Sequence, residues 1–259
     1  MLRLGRVSYI NTFPVEWALS RHADPGEVHE VAAVPTELNR LLAAGELDVA
    51  NVSSIEYARN PERYVLLPSL CIGSDGAVES VQLVTPLPLP AVRTIACTRD
   101  SATSVVLAQV LVPHAEILDQ DAEADARLLI GDAALHSAFS DPTPHHALGA
   151  LWRERTGLPM VFAVWAAQRD CTPDALGRLD RALREAVADS AEHADLVAKA
   201  AAEIHGFPAG YLARYFEKLR YGFGERERAG LERFYALAAE RGAIAGAPEL
   251  RFAQTARVR

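Results

Sequence analysis

The sequence predicts an α/β fold made of two lobes, and three observations support this prediction. β-prone and helix-prone segments alternate through the first part of the chain, as in proteins whose parallel strands are covered by helices. Pro86, Pro88 and Pro90 interrupt this alternation, which then resumes, so we expect the chain to cross there into a second lobe. From Pro173 onward only helical periodicity remains, which predicts a C-terminal helical segment packed on the first lobe.

The first lobe is predicted from regular alternation near the N-terminus. Pro14 suits the first turn of a helix, and Leu38, Leu41 and Leu42 recur at helical spacing before Gly45 ends their segment. The β-prone runs are residues 2–9, 28–34, 49–52, 64–68 and 78–84, and the helix-prone runs are residues 15–21, 35–45 and 55–59.

The second lobe repeats the pattern after the prolines. Its β-prone runs are residues 94–97 and 126–130, and its helix-prone runs are residues 105–111, a run beginning near Ala133, and residues 147–156. We expect residues 140–146 to form a surface loop, and the apolar run 161–165 to be the strand that returns to the first lobe. The C-terminal helices are predicted at residues 175–190, 193–204, 208–219 and 225–240.

These elements define boundaries and a fold type. The first lobe would contain residues 1–86 and 168–259, and the second lobe residues 87–167, with a ligand cleft between them. Two lobes with mostly parallel sheets, joined by two crossings, are typical of the periplasmic-binding-protein-like type II fold. Such folds bind ligands at the carboxyl ends of strands and at helix N-termini. The fold alone does not specify a function.

Composition limits the possible partners. The chain has 259 residues, of which 50% are hydrophobic, and a net charge of −8 without a basic run. This balance permits a large core and argues against nucleic acid or anionic membranes as partners. The N-terminus leads directly into a strand pattern, with no apolar signal region and no long apolar run, which predicts a cytoplasmic protein. A monomer or a homodimer is compatible with the sequence.

Neither a metal site nor a cofactor motif is expected. Cys71, Cys97 and Cys171 are scattered and form no CxxC spacing, and His145 and His146 lack further ligands at metal-binding spacing. Dinucleotide, phosphate-loop, nucleophile-elbow and zinc-protease motifs do not occur.

The segment from residue 94 to 111 contains the clearest candidate for a binding site. A short strand leads into a helix through Ser101, Thr103 and Ser104. A helix start with free backbone N–H groups and hydroxyl donors can bind an anion. The alternative is that Ser101 or Thr103 only caps the helix.

Other strand-to-helix turns also carry small polar residues, which suggests one shared polar cleft. The candidates are Ser8, Asn11, Ser54, Gly76, Ser80, Ser101, Thr103, Ser104 and Asp132, of which Ser80 lies on the expected crossing strand, after Gly76. Besides the cap at Ser101 or Thr103, four have a structural alternative: an Asx turn for Asn11, a helix cap for Ser54, an exposed strand edge for Ser80, and a favourable helix-terminal charge for Asp132.

The chain also resembles the chorismate dehydratase family, which catalyses the first step of the futalosine route to menaquinone. The resemblance lies in seven ordered blocks, at residues 7–14, 44–50, 52–58, 76–81, 101–104, 129–135 and 152–165. One small departure is Met160, where a Phe is expected. The ordered blocks cover about the first 170 residues, and the helical tail is similar as well.

This resemblance implies conversion of chorismate to 3-[(1-carboxyvinyl)oxy]benzoate and water, without a metal or an organic cofactor. It implies that Asn11 orients the reacting groups, while the enolpyruvyl carboxylate of the substrate takes the ring proton. The sibling 1,4-dihydroxy-6-naphthoate synthase is an alternative, but it relies on a histidine that the cleft turns here lack. A cytoplasmic protein that binds a small carboxylate without reaction is the other alternative.

Overall fold

The computed structural model describes residues 1–24 and 26–254, so residues 255–259 of the predicted first lobe lie outside the described residues. The strands are β1 (Leu2–Val7), β2 (Val28–Ala33), β3 (Val49–Ser53), β4 (Tyr64–Ser74), β5 (Val81–Val84), β6 (Thr94–Cys97), β7 (Glu116–Asp119), β8 (Ala126–Ile130), β9 (His145–Ala147), β10 (Met160–Gln168) and β11 (Leu219–Gly222). The helices are α1 (Phe13–His22), α2 (Pro35–Ala43), α3 (Ser54–Arg59), α4 (Ala102–Leu111), α5 (Gly131–Ser140), α6 (Leu148–Thr156), α7 (Pro173–Glu192), α8 (Ala194–His205), α9 (Ala209–Phe216) and α10 (Glu225–Glu240).

The strands form two sheets, as the two-lobed α/β fold requires. The large sheet has the order β11-β4-β10-β3-β1-β2, and the small sheet has the order β7-β6-β8-β5-β9. Pairing is parallel among β1, β2 and β3 and among β6, β7 and β8. The other strand pairs are antiparallel. The predicted parallel pairing therefore holds for β1–β3 and for β6–β8. It does not hold for β4, β5, β9, β10 and β11, whose pairs are antiparallel.

Two strands lie in a different sheet from the one that the sequence boundaries imply. β5 was placed in the first lobe but pairs with β8 and β9 in the small sheet, and β10 falls within residues 87–167 but pairs with β3 and β4 in the large sheet. The crossings thus precede β5 and precede β10. Pro86, Pro88 and Pro90 therefore lie after the first crossing, because they follow β5, which already belongs to the small sheet.

Three short strands, β7, β9 and β11, were not predicted, and each lies at an edge of its sheet. β9 occupies part of the segment predicted as a loop, and β11 lies in the segment predicted to be wholly helical. Edge strands of three or four residues carry little apolar alternation, because only one neighbour pairs with them and much of each strand meets solvent.

The C-terminal helices pack on the large sheet, as predicted. Thr172 caps α7 by accepting a hydrogen bond from the backbone N–H of Ala175, and α7 then buries Leu176, Leu179 and Leu183 against α1 and β4. Helix α10 contacts β10 and also α3 and α4, so it touches elements attached to both sheets. No helix within the described residues has the length and hydropathy needed to span a membrane.

Candidate active site

A small cavity of about 40 Å³ lies where the elements of the two sheets meet. Its wall comes from the carboxyl ends of β1 and β3, the approach to β5, the N-termini of α4 and α5, and β10. The lining residues are Val7, Tyr9, Asn11, Pro35, Asn51, Ser53, Ser80, Val81, Ser101, Ser104, Ile130, Gly131, Phe162 and Ala163. Four of the nine residues predicted from the sequence are among them: Asn11, Ser80, Ser101 and Ser104.

Asn11 lies in a single 3₁₀ turn, Ile10–Thr12, that connects β1 to α1. The turn is fixed from two sides. The Thr12 hydroxyl lies 2.7 Å from the Val7 carbonyl oxygen, and the Tyr221 hydroxyl donates to the Asn11 carbonyl oxygen at 2.7 Å. The side-chain Oδ1 of Asn11 is buried and has no hydrogen-bond partner. A buried acceptor without a partner costs free energy, so the Asn11 Oδ1 is an acceptor that a ligand could satisfy.

Asn51 and Ser53 add further unpaired polar atoms on β3. Their side chains project from the same face of the strand, two residues apart. Asn51 is 1% exposed, and neither its Nδ2 nor its Oδ1 has a partner. The Ser53 Oγ is also buried and unpaired, although the Ser53 backbone N–H donates to the Asn39 Oδ1 at 3.1 Å. The end of β3 therefore presents an amide and a hydroxyl to the cavity.

The N-terminus of α4 is capped by one of its serines and also lines the cavity. Ser101 is the N-cap, because its Oγ accepts a hydrogen bond from the Ser104 backbone N–H at 3.3 Å. The two hydroxyl oxygens lie 3.0 Å apart and both residues line the cavity. The first turn of α4 carries no acidic residue, so its positive dipole end is not neutralised there.

Ser54 and Thr103 lie away from the cavity and hydrogen-bond to each other. Their hydroxyl oxygens are 3.2 Å apart, and the Thr103 Oγ1 also accepts from the Ile55 backbone N–H at 3.2 Å. Ser54 donates to the Val161 carbonyl oxygen at 2.9 Å, while the Tyr235 hydroxyl donates to the Ser54 carbonyl oxygen at 2.6 Å. This fully buried pair joins the start of α3 to the start of α4.

The remaining three predicted residues do not line the cavity either. Asp132 accepts a hydrogen bond at Oδ1 from the Ile10 backbone N–H at 2.9 Å, which ties α5 to the turn that holds Asn11. Gly76 has φ +124°, and its carbonyl oxygen accepts from the Ser74 hydroxyl. Ser8 is exposed.

Tyr9 covers one wall of the cavity. Its ring lies against Gly131, where a Cβ would come within 2.8 Å of two ring atoms, and Gly131 also has φ +56°. Glycine is thus required twice, for its backbone conformation and for the close approach of the ring. Burial raises the pKa of the Tyr9 phenol, and the neighbouring Asp100 and Asp132 carboxylates raise it further. Tyr9 therefore stays protonated at neutral pH.

The cavity lining contains no charged side chain among the described residues. Hydroxyls, two side-chain amides and the N-terminus of α4 provide its polarity. Such a lining can hold an anion through neutral donors and a helix dipole. Tyr9 is the titratable group of the lining, and its raised pKa makes it a hydrogen-bond donor rather than a base.

Larger cavities occur elsewhere, but they have a different character. One of about 570 Å³ runs along Arg178 and Arg181 on α7, and another of about 370 Å³ lies among Val187, Val197 and Phe216. Within the described residues, neither is lined by a buried polar atom that lacks a hydrogen-bond partner. We therefore assign the candidate site by its unpaired polar atoms rather than by volume. No cluster of three or more His, Cys, Asp or Glu side chains suited to a metal ion occurs in the part of the chain that the structure describes.

Three polar lining residues are not among the nine candidates from the sequence: Tyr9, Asn51 and Ser53. A signal for Asn51 was present, because it interrupts the apolar strand between Ala50 and Val52. A strand buried on both faces normally reads as a continuous apolar run, so an amide within it indicates a functional position.

Comparison with known proteins agrees with this architecture. The crystal structure of protein AF1704 from Archaeoglobus fulgidus aligns with a TM-score of 0.80 and 21% identity, covering 94% of this chain and 98% of that one. The periplasmic aliphatic sulphonate binding protein SsuA from Escherichia coli aligns with a TM-score of 0.65 and 14% identity, covering 98% and 97%. At these identities the likeness establishes the periplasmic-binding-protein-like fold.

Sequence relatives are more specific. The chain is 34% identical over 256 residues to a chorismate dehydratase from Thermus thermophilus, covering 85% of this chain and 94% of the relative. It is 28% identical over 264 residues to a 1,4-dihydroxy-6-naphthoate synthase of the same organism, covering 95% and 97%. A family model described as menaquinone biosynthesis matches residues 2–240. By this match, which covers most of its length, the chain belongs to the menaquinone biosynthesis family.

Proposed function

We propose that this protein is a chorismate dehydratase, a hydro-lyase that converts chorismate to 3-[(1-carboxyvinyl)oxy]benzoate and water in menaquinone biosynthesis. The observation that carries this proposal is the 34% identity to a chorismate dehydratase across most of both chains. The enclosed, uncharged polar cavity supports it, because it supplies donors for anionic groups. The cytoplasmic location predicted from the sequence is part of the same proposal.

Binding of the substrate would use the donors that line the cavity. Chorismate carries two carboxylates, and Ser80, Ser101 and Ser104 supply hydroxyls beside the N-terminus of α4. Ser54 and Thr103 already satisfy each other, and Asp132 holds the Ile10 backbone. We assign these three residues to joining the elements around the cleft rather than to contacting the substrate.

The proton transfer would use the substrate itself. Within the described residues, no carboxylate, histidine or lysine lines the cavity, and Tyr9 is held protonated. The enolpyruvyl carboxylate of chorismate would then be the base, as the family resemblance implies. It takes the ring hydrogen next to the alcohol carbon, the released electron pair enters the ring, and the C–O bond breaks. The departing hydroxide takes this proton from the enolpyruvyl carboxylic acid and leaves as water, and the ring becomes aromatic.

Asn11 and closure of the cleft would supply most of the rate enhancement. The Asn11 amide, fixed by its turn, orients the reacting groups, and positioning of this kind is worth roughly 7–11 kcal/mol. The cavity of about 40 Å³ is far smaller than a typical ligand site of roughly 300–1,000 Å³. Chorismate must therefore enter with the elements around the cleft apart, and closure would exclude water from the reaction.

Incubation of the purified protein with chorismate tests the proposal. We expect an aromatic product lacking one water, identified by mass and by ultraviolet absorbance, without an added metal or cofactor. Binding of chorismate with no change in its mass would instead indicate a carboxylate-binding protein. The fold permits a binding role without catalysis, since SsuA, which shares it, is named an aliphatic sulphonate binding protein. Absence of both binding and turnover would contradict the proposal.

The sibling naphthoate synthase is the second candidate, because a relative with that name covers almost all of both chains. That enzyme type relies on a histidine, and the cavity lining in the described residues contains none. His205 comes near, with its Nδ1 3.6 Å from the Asp132 Oδ2, but it lies outside the cavity. The lower identity and this position both favour the dehydratase.

A further inference from the structure

Asn51 is the most deeply buried amide of the cavity wall, and the reaction scheme above does not use it. It is 1% exposed, lies within β3, and has neither donor nor acceptor paired. Asn11 differs because it is only half-buried, and only its Oδ1 is both buried and unpaired. Water can reach part of the Asn11 side chain, whereas the Asn51 amide can be satisfied only by a group that enters the cavity.

The chemistry of an amide limits what that group can be. Whichever way the Asn51 amide is rotated, its oxygen requires a hydrogen-bond donor. A carboxylate or an ether oxygen only accepts, so neither could satisfy it. At neutral pH the chorismate dianion has a single O–H donor, its ring hydroxyl. The Ser53 Oγ, two residues along the same strand face and also unpaired, can donate to the oxygen of that hydroxyl.

We propose that Asn51, together with Ser53, forms the subsite that recognises the ring hydroxyl of the substrate and assists its departure. This inference rests on the proposed function. In the ground state the hydroxyl donates to the Asn51 Oδ1. As the C–O bond breaks, negative charge grows on the leaving oxygen, and N–H and O–H donors from Asn51 and Ser53 stabilise it in a cavity without charged side chains.

The product provides a direct test, because it keeps both carboxylates and the enol ether but lacks the hydroxyl. We would measure kcat/KM for chorismate and the inhibition constant of the product, 3-[(1-carboxyvinyl)oxy]benzoate, for wild type and for Asn51→Ala. We expect kcat/KM to fall roughly ten- to a hundredfold, the range for leaving a buried polar partner unpaired, while the inhibition constant changes less than about twofold.

Two further variants complete the experiment. Asn51→Ser keeps a hydroxyl and should recover part of the loss in kcat/KM. Asn60→Ala is the matched control, since the Asn60 amide bonds to the Glu56 side chain on α3, away from the cavity, and should leave both constants unchanged. Thermal unfolding would establish that each variant is folded.

The outcomes separate this inference from the proposed function. Wild type that fails to dehydrate chorismate would contradict the proposed function itself. With an active wild type, a parallel rise in the product inhibition constant would assign Asn51 to a group shared by substrate and product and overturn the inference. Unchanged kinetics in Asn51→Ala would overturn it as well. Failure of both Asn51 variants to fold would make Asn51 a structural residue and would also overturn it.

Discussion

Two groups of small polar residues lie close together around the cleft, and they differ in how their hydrogen bonds are satisfied. Ser54 and Thr103 bond to each other and to backbone groups, so their polar atoms are used within the protein. Asn11, Asn51 and Ser53 are also buried or half-buried, yet each has a polar atom without a partner. Residue type alone therefore does not show which of these residues has polar atoms left for a ligand, whereas hydrogen-bond pairing does. Ser101 and Ser104 fall between the two groups, because their hydroxyl oxygens lie 3.0 Å apart and both residues line the cavity.

The largest effect on activity is expected when a charge is introduced at one of the residues with an unpaired polar atom. Asn11→Asp puts a carboxylate into a cavity that contains no cationic side chain and must accept a dianion. We expect kcat/KM for chorismate to fall about 10²–10³-fold, comparable to the loss of one well-placed transition-state donor. Steady-state kinetics would measure the loss, with thermal unfolding as the check on folding. Near-normal turnover would remove Asn11 from the mechanism.

A contrast within one turn of α4 would separate a residue that joins elements from one that lines the cavity. Thr103→Val removes the acceptor of the Ile55 N–H and the partner of the Ser54 hydroxyl in a buried site, which should lower the free energy of unfolding by about 1–3 kcal/mol. Ser104→Ala removes a hydroxyl from the cavity wall and should mainly raise KM, by roughly five- to tenfold for about 1–1.5 kcal/mol of lost binding.

Urea unfolding and steady-state kinetics, applied to both variants, would check this contrast. The Thr103 variant should shift the unfolding midpoint more than it shifts KM, and the Ser104 variant should do the reverse. If Thr103→Val changed only KM, Thr103 would belong with the ligand-binding residues. The assignment by hydrogen-bond pairing would then be wrong at that position.

The smallest effect is expected at Tyr9, which covers the cavity through its ring rather than its hydroxyl. Tyr9→Phe keeps the contact with Gly131 and should change kcat/KM by only about two- to fivefold, the range of one neutral hydrogen bond. The pKa of Tyr9 is higher in the folded protein than in the unfolded chain, so the protonated phenol stabilises the folded state. This contribution is complete below the ordinary tyrosine pKa of about 10 and is lost as the pH rises from that value through the higher pKa of the folded state. Tyr9→Phe should therefore reduce the fall in stability above pH 10, as measured by urea unfolding. A catalytic ionisation near neutral pH that disappears in this variant would show that Tyr9 acts as a base.

The sequence predicted the fold class and part of the cleft because both depend on local patterns. Alternating apolar runs predicted the βα units, and small polar residues in strand-to-helix turns predicted that Asn11, Ser101 and Ser104 lie together, as they do around the cavity. These three positions share a cause, since the carboxyl ends of parallel strands meet at one edge of a sheet. Ser80 also lines the cavity, but it precedes β5, which pairs antiparallel with its neighbours.

The errors concern long-range pairing. Sequence pattern cannot show that the Thr103 hydroxyl is used by Ile55, or that β5 and β10 pair in the sheets they do. The same limitation hid Asn51, because one amide in a strand becomes informative only when its surroundings show that nothing pairs with it. What a turn residue contacts is decided by segments far away in the chain.

Two tyrosines near the C-terminus have a consequence for synthesis of the protein. Tyr221 donates to the Asn11 carbonyl oxygen, and Tyr235 donates to the Ser54 carbonyl oxygen, over separations of 210 and 181 residues. The turn at residue 11 is made early on the ribosome but lacks one of its anchors until residue 221 has emerged from the exit tunnel. A nascent chain that has completed both sheets except β11 would thus still lack this anchor of the turn at residue 11.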